Sequence, residues 1–281
     1  VFRDAETPRA EFRIGLEAEK FGLTKDGGSL QYEGPEGVVG LFRALAARGF
    51  EALRESDGGP IIALERGPQT ITLEPAAQFE LSGSPQASVT EVATELFAHL
   101  DELAEVWGTH DLYWLHLGFH PLAEEASLPW VPKQRYPIMR DYLPTKGKRG
   151  LDMMRRTATV QFNLDFESEA DAMLRLVTLL KVTPVLQAMT LNAPFIEGRP
   201  SPLLSERLDV WLNMDPARSG LIEPLWNSKS PRYEDYARWA LGAGMFLFKR
   251  GRELHRNTGQ TFDDFWRNGY QGERATMSDW R

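Results

Sequence analysis

Four glutamates, Glu17, Glu19, Glu74 and Glu80, are the side chains whose spacing in this chain could do chemistry. They fall in two stretches that alternate. Around Thr72–Pro85, TLEPAAQFELSGSP, the apolar Ile71, Leu73, Phe79 and Leu81 occupy one parity of an extended chain. Thr72, Glu74, Gln78 and Glu80 occupy the other, with Pro75 interrupting between them. Arg13–Glu19 repeats the arrangement, Ile14, Leu16 and Ala18 alternating with Gly15, Glu17 and Glu19. A strand of period two sends one set into a core and leaves the acidic set on a single surface. Two such strands would repel unless something positive lay between them, and a divalent cation is the usual answer. Mg²⁺ fits, since it takes hard oxygen ligands, keeps some waters and is completed by phosphate oxygens. The same alternation also describes an acidic strand face that simply meets water.

A third polar face lies in Ala158–Phe166, where Val160, Phe162, Leu164 and Phe166 alternate with Thr159, Gln161, Asn163 and Asp165. Gln161 and Asn163 are neutral and point together, which suits hydrogen bonds to a substrate or a metal-bound water. Asp165 shares their parity or terminates the strand. His116 and His120 also share a parity, and two histidines beside acidic strands raise zinc. No HExxH-type spacing accompanies them, so the competing readings are a pocket-lining His120 and a buried, hydrogen-bonded histidine. Lys133, Arg135, Arg140, Arg155 and Arg156 precede the third strand. A guanidinium pairs bidentately with carboxylate or phosphate, although a surface arginine can equally be solvated.

The elements that must position these groups are legible in outline. Ser88-Val89-Thr90-Glu91 is a capping box, followed by Val92, Leu96, Phe97, Leu100, Leu103 and Trp107 at helical spacing and a stop at Gly108. A second long helix is predicted from Ser168, with Leu174, Leu176, Val177, Leu179 and Leu180 inward and Pro184 ending or kinking it. Shorter helices are expected at Glu36–Arg48, Tyr233–Met245 and Phe262–Arg267, and strands at Phe12–Phe21, Pro60–Glu65, Thr70–Leu73, Tyr113–Phe119 and Ala158–Phe166. The proline-rich Pro121–Pro144 reads as one long functional loop. The expectation is an α+β fold in a single domain over 1–281, with an antiparallel sheet presenting a polar concave face and helices packed behind it.

Composition removes whole classes. A chain of 281 residues can bury a substantial core. A net charge of −8 argues against a nucleic-acid surface, which needs clustered Lys and Arg. No uncharged apolar run approaches membrane-spanning length, so no membrane partner is expected. The absence of cysteine rules out disulfides, thiolate ligands and a cysteine nucleophile. With no signal pattern at Val1–Arg9, a cytoplasmic location is the expectation. There is no GxxxxGK[ST] loop, GxSxG elbow or usable GxGxxG.

The chain resembles the glutamate–cysteine ligase family of the plant and proteobacterial type, within the glutamate–amine ligase superfamily. The resemblance rests on RIGLEAEKFG (Arg13–Gly22), TLEPAAQFELSGSP (Thr72–Pro85), GLDMMRRTATVQFNLDFESEAD (Gly150–Asp171) and NTGQTFDDF (Asn257–Phe265). It implies an open, glutamine-synthetase-like sheet forming a half barrel. It implies Glu17, Glu19, Glu74 and Glu80 on two or three Mg²⁺ ions, and ATP as co-substrate bound through metal and scattered arginines. Arg135, Tyr136 and Arg140 lie in the segment resembling the family's substrate contacts, with Gln161 and Asn163 near substrate. Arg156, Arg218 and Arg250 match positions that imply catalytic roles.

The implied reaction joins the γ-carboxylate of glutamate to the amine of cysteine through γ-glutamyl phosphate, the first step of glutathione biosynthesis. A γ-glutamyl ligase for another amine and a non-catalytic remnant binding glutamate or Mg-nucleotide are the alternatives. A monomer and a homodimer are both compatible with the resemblance. Three departures stand out. Ala158 occupies the position of a family cysteine. Similarity fades over Leu221–Pro231. The closing Met277–Arg281 looks like the start of a segment that the family continues, so a shortened chain is expected.

Overall fold

The computed structural model describes residues 1–108 and 112–280; Arg281, which ends the closing segment quoted above, lies outside them. In chain order the principal elements are β1 (Ile14–Thr24), α1 (Val38–Ala46), β2 (Glu51–Arg54), β3 (Ile61–Arg66), β4 (Gln69–Leu73), β5 (Phe79–Ser82), α2 (Val89–Trp107), β6 (Leu112–Leu115), α3 (Arg135–Tyr142), α4 (Gly150–Arg156), β7 (Val160–Leu164) and α5 (Glu169–Met189). The remainder holds the hairpin β8 (Phe195–Ile196) and β9 (Arg199–Pro200), α6 (Glu206–Leu212), α7 (Glu223–Trp226), α8 (Tyr233–Leu241), the hairpin β10 (Leu247–Arg250) and β11 (Glu253–Arg256), and α9 (Phe262–Asn268).

Seven strands form one open antiparallel sheet in the order β2-β3-β4-β5-β1-β6, with β7 also paired to β1. β1 is its spine. Its first half pairs with β5 on one edge and β7 on the other, and its second half pairs with β6. The alternation seen in the sequence becomes two faces. Leu16, Ala18, Leu64, Ile71, Leu73, Phe79 and Leu81 are buried. Beneath them pack Leu41, Phe42 and Leu45 of α1 and Leu103 and Trp107 of α2, and the cluster extends to Tyr136, Tyr142 and Met154. Val92 and Leu96 of α2 cover Leu16 and Ala18. The expected mixed α+β architecture, with an open antiparallel sheet and helices behind it, is what the chain adopts.

The Ser88 capping box forms as read: Ser88 accepts from the Glu91 amide and the Glu91 side chain reaches back to the Ser88 amide. Other expectations are corrected. Pro121–Pro144 is not one long loop, because α3 occupies much of it; Pro137 falls in the first turn, where its missing N–H costs nothing. α5 runs through Pro184 to Met189. Its inward face is Met173, Leu176, Val177 and Leu180 against Ile222, Leu225 and Tyr233. Leu174 and Leu179 are exposed, because a helix apolar nearly all round gives its periodicity no face to choose. Among the described residues α5 is also the one helix long and apolar enough to cross a membrane by length and composition, and little of it is buried.

These burial assignments have a direct check in urea unfolding. Phe42→Ala, at a fully buried position, should cost about 3–5 kcal/mol. Leu174→Ala should stay within about 0.5 kcal/mol; a core-like cost there would restore the inward reading.

Candidate functional site

The sheet register sets the site. Glu19 lies directly opposite Glu80 across β1 and β5, and Thr72 of β4 lies opposite Glu80 on its other side. In the next row Glu17 is flanked by Ser82 and Gln161, with Asn163 opposite Gly15. Directly opposed residues in an antiparallel pair project to the same face, so all of these side chains leave the side away from the helical layer. Glu74 continues the parity of Thr72 just past β4, in the tight turn to β5. Ala77 in that turn adopts φ 64, a left-handed conformation uncommon for a residue with a side chain. Gln78 ties the turn down, accepting from the Ala76 amide and donating to the Met154 and Thr157 carbonyls.

Three of the carboxylates take neutral donors. Glu80 accepts from Thr72 Oγ1 at 2.7 Å and Ser82 Oγ at 3.1 Å. Glu19 accepts from the Thr159 amide at 2.9 Å. Glu17 accepts from Asn163 Nδ2 at 3.0 Å and Gln161 Nε2 at 3.2 Å. Burial, with Glu74 and Glu80 nearby, pushes the Glu19 carboxyl up to about 8. Burial and then Glu80 also raise Glu74, against the pull of Lys133 and Arg135.

Among the described residues no group of three His, Asp or Glu closes into a ready metal cluster. Glu17, Glu19 and Glu80 instead rest on neighbouring neutral donors. The donor set is nonetheless all hard oxygen and carries excess negative field, which fits Mg²⁺ rather than zinc.

One cleft opens on this face and a second lies beyond Arg135. The smaller, about 280 Å³, is lined by Glu19, His116, Thr159, Asn192 and Arg207 among others. Arg207 was not singled out from the sequence. It sits near the start of α6, donates Nε to the Ala158 carbonyl, and is felt electrostatically by Glu19. The larger cleft, about 580 Å³, joins Arg135 and Arg218 to Met139, Tyr236, Trp239 and Phe246. Arg218 pairs with Asp215 and lies over the Phe246 ring. Arg135 is felt by Glu74, which links that cleft to the acidic face.

Other candidates are placed elsewhere. Tyr136 is buried and its hydroxyl donates to the Leu73 carbonyl, a core role instead of the expected substrate contact. Arg156 is also buried, held by Asp152 and Glu197 and stacked on Phe119, outside the lining of both clefts. Arg155 is held by Glu125 and the Leu128 carbonyl. Arg250 pairs with Glu273 and Asp279, fastening the last segment to β10. Arg140 lies over Trp130 beside Asp141, and neither cleft includes it.

Asp165 accepts from the Arg13 amide and so fixes the entry to β1. His120 lines neither of these clefts. It is buried, its Nδ1 accepts from the Leu122 and Ala123 amides, and burial holds its pKa down at about 4. It is His116 that lines the smaller cleft.

The arrangement is an acid-bearing open antiparallel sheet with arginines at the clefts beside it. The chain belongs to glutamate-cysteine ligase family 2, whose model matches residues 13–280. It is 38% identical over 273 residues to the chloroplastic glutamate–cysteine ligase of Medicago truncatula, covering 96% of this chain and 53% of that protein. It is 37% identical over 273 residues to the chloroplastic enzyme of Arabidopsis thaliana, covering 96% of this chain and 52% of that one. The chain thus spans about half the length of these curated relatives.

The raised Glu19 pKa has a signed consequence. From the ordinary 4.5 up to about 8 the folded chain keeps a proton that the unfolded chain has released. Stability therefore falls as pH rises across that window and levels off above it. Without metal, the thermal midpoint of the wild type should drop relative to Glu19→Gln between pH 5 and 8. Added Mg²⁺ should raise the wild-type midpoint most at the top of that range, where proton competition ends. Parallel profiles for the two proteins would disprove the assignment.

Proposed function

We propose that this chain carries the catalytic face of an ATP-dependent ligase that joins the γ-carboxylate of L-glutamate to the amine of L-cysteine. The observation that carries the reading is the convergence of Glu17, Glu19, Glu74 and Glu80 on one sheet face, with Glu19 pushed up to about 8 by burial and its acidic neighbours. A γ-carboxylate oxygen attacks the γ-phosphorus of ATP, the bond to the β–γ bridging oxygen breaks, and ADP leaves. The neutral amine then attacks the acyl carbon of γ-glutamyl phosphate; the C–N bond forms, the acyl carbon–oxygen bond to phosphate breaks, and the proton shed by nitrogen leaves with the inorganic phosphate. No enzyme nucleophile takes part, so the protein's work is positioning and charge neutralisation.

Two or three Mg²⁺ ions held by the four glutamates would supply the neutralising charge at the phosphates. Gln161 and Asn163, which orient Glu17, would hold it for that task. Arg135 and Arg218 would receive phosphate or carboxylate oxygens in the larger cleft, and Arg207 would do so beside Glu19.

The deciding assay is Mg²⁺-dependent ADP release from ATP plus glutamate, with and without cysteine. Cysteine-dependent release with γ-glutamylcysteine as product supports the reading. Release only with a different amine would move the chain to another γ-glutamyl ligase, and nucleotide binding without release would mark a non-catalytic protein. Glu74→Gln and Glu80→Gln should each lower turnover by about 100-fold or more while leaving the near-ultraviolet circular dichroism unchanged. Wild-type rates in either variant would remove the metal role.

A further inference from the structure

Behind the acidic face, two lysines are buried where a side-chain amine is costly. Lys20 is on the core side of β1, fully buried, and Lys133 is nearly so. Neither makes an ion pair with a carboxylate among the described residues. Lys20 Nζ donates to the Ala18 carbonyl at 3.2 Å and the Phe79 carbonyl at 3.3 Å, and meets His99 Nε2 at 3.1 Å. Lys133 Nζ donates to the Leu73 carbonyl at 2.7 Å, an oxygen that also accepts from Tyr136 Oη at 2.9 Å.

The three carbonyls share one property. Ala18, Phe79 and Leu73 are the residues immediately before Glu19, Glu80 and Glu74. A carbonyl belongs to the rigid peptide plane that ends at the next Cα. Holding that oxygen fixes the plane from which the following side chain departs, and so its aim. If burial alone mattered, an apolar side chain opposite Phe79 would fill the same space without desolvating an amine.

We propose that Lys20 and Lys133 are positioning residues for the acidic face: from behind the sheet, their amines hold the peptide planes from which Glu19, Glu80 and Glu74 reach toward divalent cations. The proposal rests on the metal reading of those glutamates. It assigns Lys20 to the β1–β5 pair, where one amine spans both strands, and Lys133 to the end of β4. His99 completes the Lys20 amine from α2, stacking its ring along Phe79 with centroids 6.2 Å apart. The helical layer thereby takes part in setting the geometry of a site on the opposite face.

The test uses Mn²⁺ alone as the probe, titrated into the 281-residue chain and followed by the electron paramagnetic resonance of free Mn²⁺, so it needs no turnover. Lys20→Met and Lys133→Met should each weaken Mn²⁺ binding by about tenfold or more, the scale for losing a group that orients a metal ligand. Lys133→Arg, which keeps a donor toward the Leu73 carbonyl, should stay within about threefold of wild type. Lys181→Met, an exposed lysine on α5, should not differ from wild type. Wild-type Mn²⁺ affinity in folded Lys20→Met and Lys133→Met would overturn the proposal and leave the ligase reading standing. Failure of the wild type to bind Mn²⁺ would overturn the metal reading and the proposal with it. The two lysines come from different segments, so if one variant does not fold the other decides. Loss of fold in both would assign them to stability and also overturn the proposal.

Discussion

Glu19 and Glu80 face each other directly across the β1–β5 pair. Opposed like charges destabilise a sheet, and the surrounding structure is organised around that repulsion. Thr72 and Ser82 donate to Glu80, the Thr159 amide donates to Glu19, and Gln161 with Asn163 turns Glu17 toward β7. These bonds hold the carboxylates without neutralising them. Burial first, and then the neighbouring carboxylates, raise the Glu19 and Glu74 pKa values. Under the metal reading proposed above, a bound cation would offset the cost of the opposed charges.

The two sides of the sheet solve different problems. The helical side is dry, with Phe42, Leu45, Leu64, Ile71 and Phe79 closing a core that keeps β1, β4 and β5 in register. Register is decisive, because a slip of one residue would send every glutamate of a strand into that core. The open side must stay accessible, and it is bordered by segments that come from far along the chain. Arg207 approaches Glu19 from α6, and Arg135 approaches Glu74 from α3. Tyr136 and Lys133 belong to the same stretch as Arg135 but face the core. Neighbours in sequence thus serve opposite sides of the same sheet.

β7 and α5 are largely exposed. Val160, Phe162 and Leu164 are about half exposed, as are Val185 and Leu186. The apolar residues of β7 share a parity with one another and the polar residues that meet Glu17 share the other, so this strand contributes to the acidic face while its other side stays uncovered.

The sequence by itself determined the features that depend on near neighbours. Period-two alternation marked which residues of β1, β4, β5 and β7 share a face, because the pleat imposes it whatever lies around. The Ser88 capping box located the start of α2 because its two hydrogen bonds span three residues. What it could not decide were choices made by distant packing. Leu174 and Met173 are both apolar residues of α5, and only the position of α7 and α8 buries Met173. His116 and His120 share a parity, yet the loop after β6 folds over one and leaves the other at a cleft. Arg156 and Arg207 are both arginines near helix ends. Arg156 is enclosed by Asp152, Glu197 and Phe119, while Arg207 is carried to Glu19 from nearly two hundred residues away in sequence. No local pattern records such an approach, since the energy that selects it lies in contacts that exist only once the chain has folded.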